Sequence, residues 1–422
     1  MKALIKKLVP KPLYDLLLRG YHFLLAFLGA LRYGFPSRRL TVIGVTGTKG
    51  KSSTAEILDH IIEAAGHKSA MLGTIKFKIG SDEKRNLRKM TMPGRFFVQK
   101  FLADAVKAGC THAVIEMTSE GAKQYRHRFI DMDALIFTNL APEHIESHGS
   151  YEAYRDAKLS IARALSRSQK SERYMVANAE DKEAPLFLAV PNITPISFSL
   201  RDAEELVVDS SHATFSFHGK DVSSNLGGTF NVLNALAAGT AAMQIGIPLP
   251  AIAEGIANTK RIAGRMEHVG VGQSFPVVVD YAHTPDSLEA IYTAFEGHEN
   301  ICVLGNTGGG RDKWKRPVMG ALAERYCTEV ILTNEDPYDE DPRTILDEIA
   351  SGMKTKKPEI ILDRREAIVR ALALTKGRSK PAVLITGKGT DPFIMGPRGT
   401  KQVWDDRTVA EEELQRFIDA AK

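Results

Sequence analysis

The stretch Val42–Gly66, VIGVTGTKGKSSTAEILDHIIEAAG, decides the fold. An apolar run stops at a glycine-rich turn, and an amphipathic helix begins with Lys51, Ser52 and Ser53. Gly47, Gly50, Lys51 and Ser52 make a GxxGK[ST] turn, one step shorter than the commoner GxxxxGK[ST] loop. Glycines let backbone N–H groups converge on phosphate oxygens. The helix N-terminus adds partial positive charge, the lysine a point charge, and a hydroxyl can bind magnesium. The bland alternative is a chance glycine turn, and the strand–turn–helix setting argues against it.

Outward from this turn the chain alternates strand and helix. LTVIGVTG is a buried strand and Ser53–Ala65 a helix; THAVIEMT (111–118) and DALIFTNL (133–140) are further short apolar strands. FPVVVDYAHTP, NICVLGNTGGG, EVILTNEDP and PAVLITGKG repeat the theme. Such alternation predicts parallel sheets with helices on both faces, with ligands at the loops after the strand C-termini. Residues 190–230 read instead as short strands and turns, followed by a helix at NVLNALAAGTAAMQIG. The turn-rich segment around Arg261–Arg265 reads as a boundary. The expectation is an α/β chain in three parts. These are a helical apolar segment (1–39), a central P-loop parallel-sheet domain (40–264) and a C-terminal doubly wound, Rossmann-like domain (265–422).

A chain of 422 residues, 43% hydrophobic and 25% charged, has room for two or three cored domains. A net charge of +5, with no basic run interleaved with aromatics, gives no sign of nucleic-acid binding. Cys110, Cys302 and Cys327 show no CxxC spacing, so neither a zinc site nor a disulfide framework is expected, and a cytoplasmic location is the simple reading. The N-terminus is basic, then apolar. Pro10, Pro12, Asp15 and Arg19 interrupt it as a signal peptide, and Phe23–Leu31 is about half the ~20 residues of a span. A helix packed on the body is expected, with a peripheral membrane contact through residues 1–36 as the alternative.

Several residues fall at the predicted loops. Glu116 ends a strand, where a carboxylate is either a solvated cap or, behind a phosphate loop, a magnesium ligand. His144 and His148 follow another strand, and Lys158 lies on a helix where a solvated lysine is the ordinary reading. Asp280, His283, Thr284 and Asp286 close a buried strand, although Asp280 could simply cap the next helix. GNTGGGRDKWKRP joins a glycine loop to Arg311, Lys313 and Arg316, an anion site or a mobile basic loop. TNEDPYDEDP is acidic, either a solvated loop or a pocket for a substrate amine.

Taken together, GTKGKSS, IEMTSEGAKQYR, NLAPEHIESHG, AYRDAKLSI, ANAED, GTFNVLNALAA, GRMEHV, VVVDYAHTPDSLEA, GGGRDKWKRP and ITGKGTD occur in the order seen in the Mur ligases. From about residue 40 onward the chain resembles that family, and most closely its diamino-acid-adding, MurE-like branch. The resemblance implies an ATP-dependent carboxylate–amine ligase of peptidoglycan precursor synthesis with two magnesium sites. Gly47, Thr48, Lys49, Gly50, Lys51, Ser52 and Ser53 would hold the ATP phosphates, and Asn231 and Asn234 would lie by the adenine. Arg265 and Asp280 would close on the nucleotide from the C-terminal domain. Ser52, Glu116, His144 and Lys158 would serve the metals, Lys158 as a carbamate. Lys51, Lys158, His144 and Glu116 would then be the catalytic set. Thr91, Ser119, Gln124 and Arg126 match positions touching the acceptor. Arg311, Gly387 and Asp391 match positions around the incoming amino acid, and His283 is grouped with the substrate-binding positions.

The sequence departs from that pattern at three points. About forty mostly helical residues stand where the family's uridine-nucleotide-binding domain is expected, which suits a lipid-linked or smaller acceptor. Glu335-Asp336-Pro337-Tyr338 replaces the Asp-Asn-Pro-Arg of diaminopimelate-adding members, favouring lysine or a similar diamino acid. Glu120 stands where a histidine is usual. Two rival readings are a ligase of the folylpolyglutamate or cyanophycin synthetase kind and a non-catalytic nucleotide-binding subunit.

Overall fold

The computed structural model describes residues 11–143, 145–310 and 312–420. Val42 to Val45 are buried on both sides, so the strand Thr41–Thr46 lies inside a sheet rather than at its edge. That sheet has eight strands. In spatial order they are Asp82–Arg85, Lys76–Ile79, Ser69–Leu72, His112–Glu116, Thr41–Thr46, Ala134–Phe137, Tyr174–Asn178 and Thr194–Phe198. From Ser69–Leu72 onward all neighbours are parallel, and the two outer strands at the other edge pair antiparallel. Val45 lies level with Glu116 and with Ile136, so three loops leave the sheet side by side.

Alternate side chains leave this sheet on opposite faces. Ile43 and Val45 pack with Ile57, Leu58 and Ile61 of the helix Lys51–Ala64, and Val42 and Ile115 pack with Phe101, Leu102, Ile161 and Leu165. Helices therefore cover both faces. The helix starts at Lys51, two residues ahead of the expected Ser53. Gly50, at φ 81°, serves as its N-cap. In the 190–230 region, Thr194–Phe198 joins the large sheet as its parallel edge. Only Glu204–Val208, Ala213–Phe217 and Lys220–Ser224 form the separate antiparallel sheet.

A second, six-stranded sheet follows. Its order is Glu267–His268, Val277–Asp280, Pro381–Thr386, Glu299–Leu304, Glu329–Leu332 and Glu359–Ile360, parallel except for the first pair. Val278, Cys302, Leu304 and Leu384 face one helical layer; Val277, Val279, Ile301 and Val303 face the other. That is the doubly wound arrangement the alternating sequence implies.

One expectation is corrected. Cys302 and Cys327 form a disulfide across a sequence separation of 25. No short spacing announces it. The pair meets because the helix Lys315–Tyr326 crosses back over the strand that carries Cys302. The helix Lys11–Arg32 packs on the body through Ala26 and Ala30, and no described helix is long and apolar enough to cross a membrane.

Candidate active site

The turn after Thr41–Thr46 is shaped by two glycines. Gly47 has φ 148°, and a Cβ there would stand 1.9 Å from Thr138 Oγ1; at Gly50 a Cβ would stand 2.3 Å from Asn234 Oδ1. Only glycine allows both approaches. The turn is pinned from outside. Thr48 N–H donates to the Asn139 carbonyl at 2.9 Å, and Lys49 N–H to Asn139 Oδ1 at 2.8 Å. No side chain caps the helix that follows, so its N-terminal N–H groups face the cavity unpaired by a cap.

Lys51 folds back over the turn, its Nζ donating to the carbonyls of Gly47 and Thr48 at 2.8 Å each. Burial lowers its pKa to about 8, against the opposing pull of Glu143 and Glu116. Lys158 arrives from the helix Tyr151–Leu165 and donates to the Gly47 carbonyl at 2.6 Å. It is 2% exposed, and burial first, then the Lys51 charge, pushes its pKa well below the usual lysine value. The ordinary solvated lysine is therefore not what the fold contains.

Glu116, at the end of the neighbouring strand, accepts from Ser52 Oγ at 3.0 Å, Thr74 N–H at 2.7 Å and Thr74 Oγ1 at 2.9 Å. A carboxylate oxygen and a hydroxyl oxygen thus meet at the start of the phosphate-loop helix. Such hard oxygen donors suit a magnesium ion that takes its remaining ligands from phosphate and water. Among the described residues no cluster of three or more His, Cys, Asp or Glu forms a protein-only metal cage. Asn234 lies beside Gly50 and accepts from Thr54 Oγ1 at 3.3 Å, and Asn231 lies next to it and donates to the Gly227 carbonyl at 2.8 Å. Ser53 is buried on the same helix.

The second sheet brings its strand ends to the same cavity. Asp280 is held by Met266 N–H and Ala282 N–H, each at 2.6 Å, and burial raises its pKa despite nearby Arg265. Arg265 lies over the Tyr281 ring at 4.6 Å. His283 Nε2 is 3.0 Å from Glu143 Oε1 of the first sheet's loop, and Lys49 reaches the same oxygen at 3.2 Å. Burial lowers the His283 pKa to about 4. These groups line a cavity of about 510 Å³ that reaches from the phosphate turn to Ile291.

A second cavity, about 500 Å³, shares Thr74, Thr91, Thr118, Arg265 and Tyr281 with the first. Thr91 Oγ1 is 2.9 Å from Thr74 Oγ1, so it stands one hydroxyl away from Glu116. Gln124 Oε1 accepts from Arg126 at 2.8 Å, and Arg126 also reaches the Met92 carbonyl. Ser119 Oγ lies 3.1 Å from His148 Nε2.

The acidic pair behaves asymmetrically. Asp336 is already occupied: Lys388 reaches it at 2.8 Å, Lys89 at 3.2 Å and Met395 N–H at 2.7 Å. Asp391 shares both lysines, at 3.1 and 2.8 Å. Glu335 uses one oxygen to accept from Thr307 at 2.6 Å. Its Oε2 is buried without a hydrogen-bond partner among the described residues. Burial raises the Glu335 pKa. A Cβ on Gly387 would stand 2.6 Å from that free oxygen, so the glycine keeps the approach open.

His144 and Arg311 lie outside the described residues. Sequence reasoning missed Thr74, Glu143 and Lys89. Thr74 and Glu143 stand in loops after strands of the large sheet, where the position alone was a signal. Lys89 had none, because its partners are more than two hundred residues away.

Residues 45–242 match the Mur ligase middle domain and residues 264–389 the Mur ligase, glutamate ligase domain. UDP-N-acetylmuramoyl-L-alanyl-D-glutamate–2,6-diaminopimelate ligase of Bacillus cereus is 36% identical over 92% of this chain and 81% of its own length. A solved structure of a ligase of the same name superposes with TM-score 0.61 at 29% identity, covering 90% of this chain and 79% of its own. Mycobacterium tuberculosis folylpolyglutamate synthase shares the fold, with TM-score 0.70 at 16% identity over 86% of this chain and 91% of its own. The chain belongs to the Mur ligase family. It is an ATP-dependent ligase, and the family's enzymes work with magnesium.

Proposed function

We propose that this enzyme joins the amine of a diamino acid, lysine or one like it, to the terminal carboxylate of a muramoyl-peptide-like acceptor in peptidoglycan precursor synthesis. What supports this most is one juxtaposition. The glycine turn lines one cavity and Glu335, whose Oε2 has no hydrogen-bond partner among the described residues, lines the other, and the two cavities share Thr74, Thr91 and Arg265. Residues 40–264 would serve nucleotide and acceptor, residues 265–422 closure and the amino acid, with 1–39 as an appended segment.

Lys51 leaves its backbone carbonyls to neutralise the phosphates, while the helix N–H groups hold their oxygens. Arg126 and Gln124 orient the acceptor so that a carboxylate oxygen attacks the γ-phosphorus and ADP departs. Magnesium, held by Ser52 and Glu116 and at a second site by His144 and Lys158, would offset phosphate charge. Burial, and the nearby Lys51 charge, push the Lys158 pKa well down and so favour its neutral amine. Such an amine can add carbon dioxide and release a proton, giving a carbamate with the oxygen donors a lysine lacks. The resulting acyl phosphate is attacked by the amino acid's amine, and the tetrahedral adduct collapses to amide and phosphate. Closure through His283–Glu143 and Lys89–Asp336 keeps water from the acyl phosphate.

Glu335 would receive the side-chain ammonium, with Gly387 giving access. Asp336 and Asp391 act through Lys89 and Lys388 rather than on substrate, and Arg311 would belong to the amino-acid site, as the resemblance implies. The relative from Bacillus cereus is named for 2,6-diaminopimelate; Tyr338 here stands where an arginine would meet its distal carboxylate. A cytoplasmic site of action belongs to the same reading. The test is release of phosphate from ATP across an amino-acid panel, with UDP-linked and lipid-linked muramoyl dipeptides as acceptors. Release that depends on a diamino acid supports the reading; none with any acceptor contradicts it.

A further inference from the structure

The helix Lys11–Arg32 presents its apolar residues to the wrong side for a helix that merely covers the body. Its inner face is narrow. Ala26 and Ala30 are buried, a Cβ on Gly29 would stand 3.5 Å from Phe96 Cα, and Phe23 and Phe27 meet Phe129 at 5.2 and 5.5 Å. The outer face carries Leu13, Leu17, Tyr21, Leu24, Leu28 and Leu31, spaced three and four apart and each 40–58% exposed. An ordinary surface helix shows the reverse pattern, and a continuous apolar stripe of this kind marks a docking surface.

Charge selects the occupant. Residues 1–40 contain four lysines and four arginines against one acid, Asp15, so they carry +7, while the whole chain carries +5. A second copy of the helix suits the leucine spacing but would press two such segments together. An anionic bilayer takes both the apolar stripe and the positive charge, and Tyr21 on the outer face suits the interfacial zone.

The position of the helix gives the contact a use. His22 meets Arg95, three residues past Met92, whose carbonyl is held by Arg126; Phe129, which supports Phe23 and Phe27, follows Arg126 by three. The helix therefore packs on Arg95, Phe96 and Phe129, three to four residues along the chain from Met92 and Arg126 of the second cavity.

We propose that the N-terminal segment, through the helix Lys11–Arg32, forms an interfacial anchor for an anionic lipid bilayer, holding the acceptor end of the cavity at the membrane surface. The function of that cavity rests on the ligase reading; the anchoring does not. Flotation of the full chain with vesicles tests it, comparing phosphatidylglycerol–phosphatidylcholine with phosphatidylcholine alone. At least tenfold more protein should float with the anionic vesicles, and the difference should shrink at high salt. The variant L17E/L24E/L28E should lose binding while keeping nucleotide affinity, which reports that it folds. K2E/K6E/K7E should lose the anionic preference. Equal or absent binding to both vesicles, or wild-type binding by the leucine variant, overturns the anchor. So does a concentration-dependent dimer in sedimentation that the leucine variant abolishes, without vesicle binding. Phosphate release with soluble acceptor, measured in parallel without vesicles, reports on the ligase reading alone.

Discussion

At the phosphate end of the shared cavity, Glu116 accepts hydrogen bonds from Ser52 and twice from Thr74, and Lys51 rests on two carbonyls of its own turn. At the end proposed for the amino acid, Glu335 keeps a buried oxygen with no hydrogen-bond partner among the described residues, while its neighbour Asp336 is gripped by Lys89 and Lys388. The first end is satisfied from within the protein, Glu116 by two hydroxyls and a backbone N–H and Lys51 by two carbonyls, and can wait for ligand at little cost. The second holds an unsatisfied buried carboxylate, which costs about 1–3 kcal/mol until a donor arrives. A site that leaves one acceptor unpaired discriminates strongly against substrates lacking the matching donor.

The contrast is broken most severely at the phosphate end. Lys51→Ala and Lys158→Ala should each reduce amino-acid-dependent phosphate release by about a thousandfold. Only the Lys158 variant should be partly restored by added formate or acetate, since only there is a missing carboxylate-like group at issue. Equal rescue of both, or full activity of Lys158→Ala, would remove the carbamate from the account. Glu335→Gln should raise the KM for the diamino acid by roughly 10–50-fold, the worth of one charged hydrogen bond, and leave ATP affinity unchanged. If both change together, the two ends are not the separate devices described.

A pH series sharpens the phosphate end. Burial lowers the Lys51 pKa to about 8. In the empty enzyme the folded state therefore sheds this proton before the unfolded chain does, and this group's contribution to stability rises from about pH 8 towards its unfolded pKa. Phosphate favours the charged form, so nucleotide affinity should be greatest below pH 8 and fall by up to about tenfold per pH unit above it. Calorimetric titration with ADP at pH 7 and 9 measures this; pH-independent affinity would contradict the assignment. The smallest effect is expected for Lys89→Ala, about threefold in kcat/KM, because an ion pair of a partly exposed lysine is worth ~0.5–1 kcal/mol.

The same contrast explains what the sequence made legible. The strand–glycine–helix order at Val42–Gly66 fixes Gly47, Lys51 and Ser52 within a few residues of one another, so the phosphate end reads directly from local pattern. Glu116 was accessible by its place at a strand end. The occupation of Asp336 was not: its lysines come from residues 89 and 388, joined only by the packing of two sheets. Glu335 and Asp336 of TNEDPYDEDP therefore read alike in the sequence, whereas in the fold Asp336 is paired and one Glu335 oxygen has no partner among the described residues. The Cys302–Cys327 bond was hidden for the same reason, since a helical crossover rather than spacing brings the two together.

The central claim is that an acceptor carboxylate takes the γ-phosphate before nitrogen displaces it. An acceptor labelled with oxygen-18 in that carboxylate, supplied with ATP and the diamino acid, tests it in one turnover. One labelled oxygen in the released phosphate is the expected result. Unlabelled phosphate alongside amide product would contradict the account.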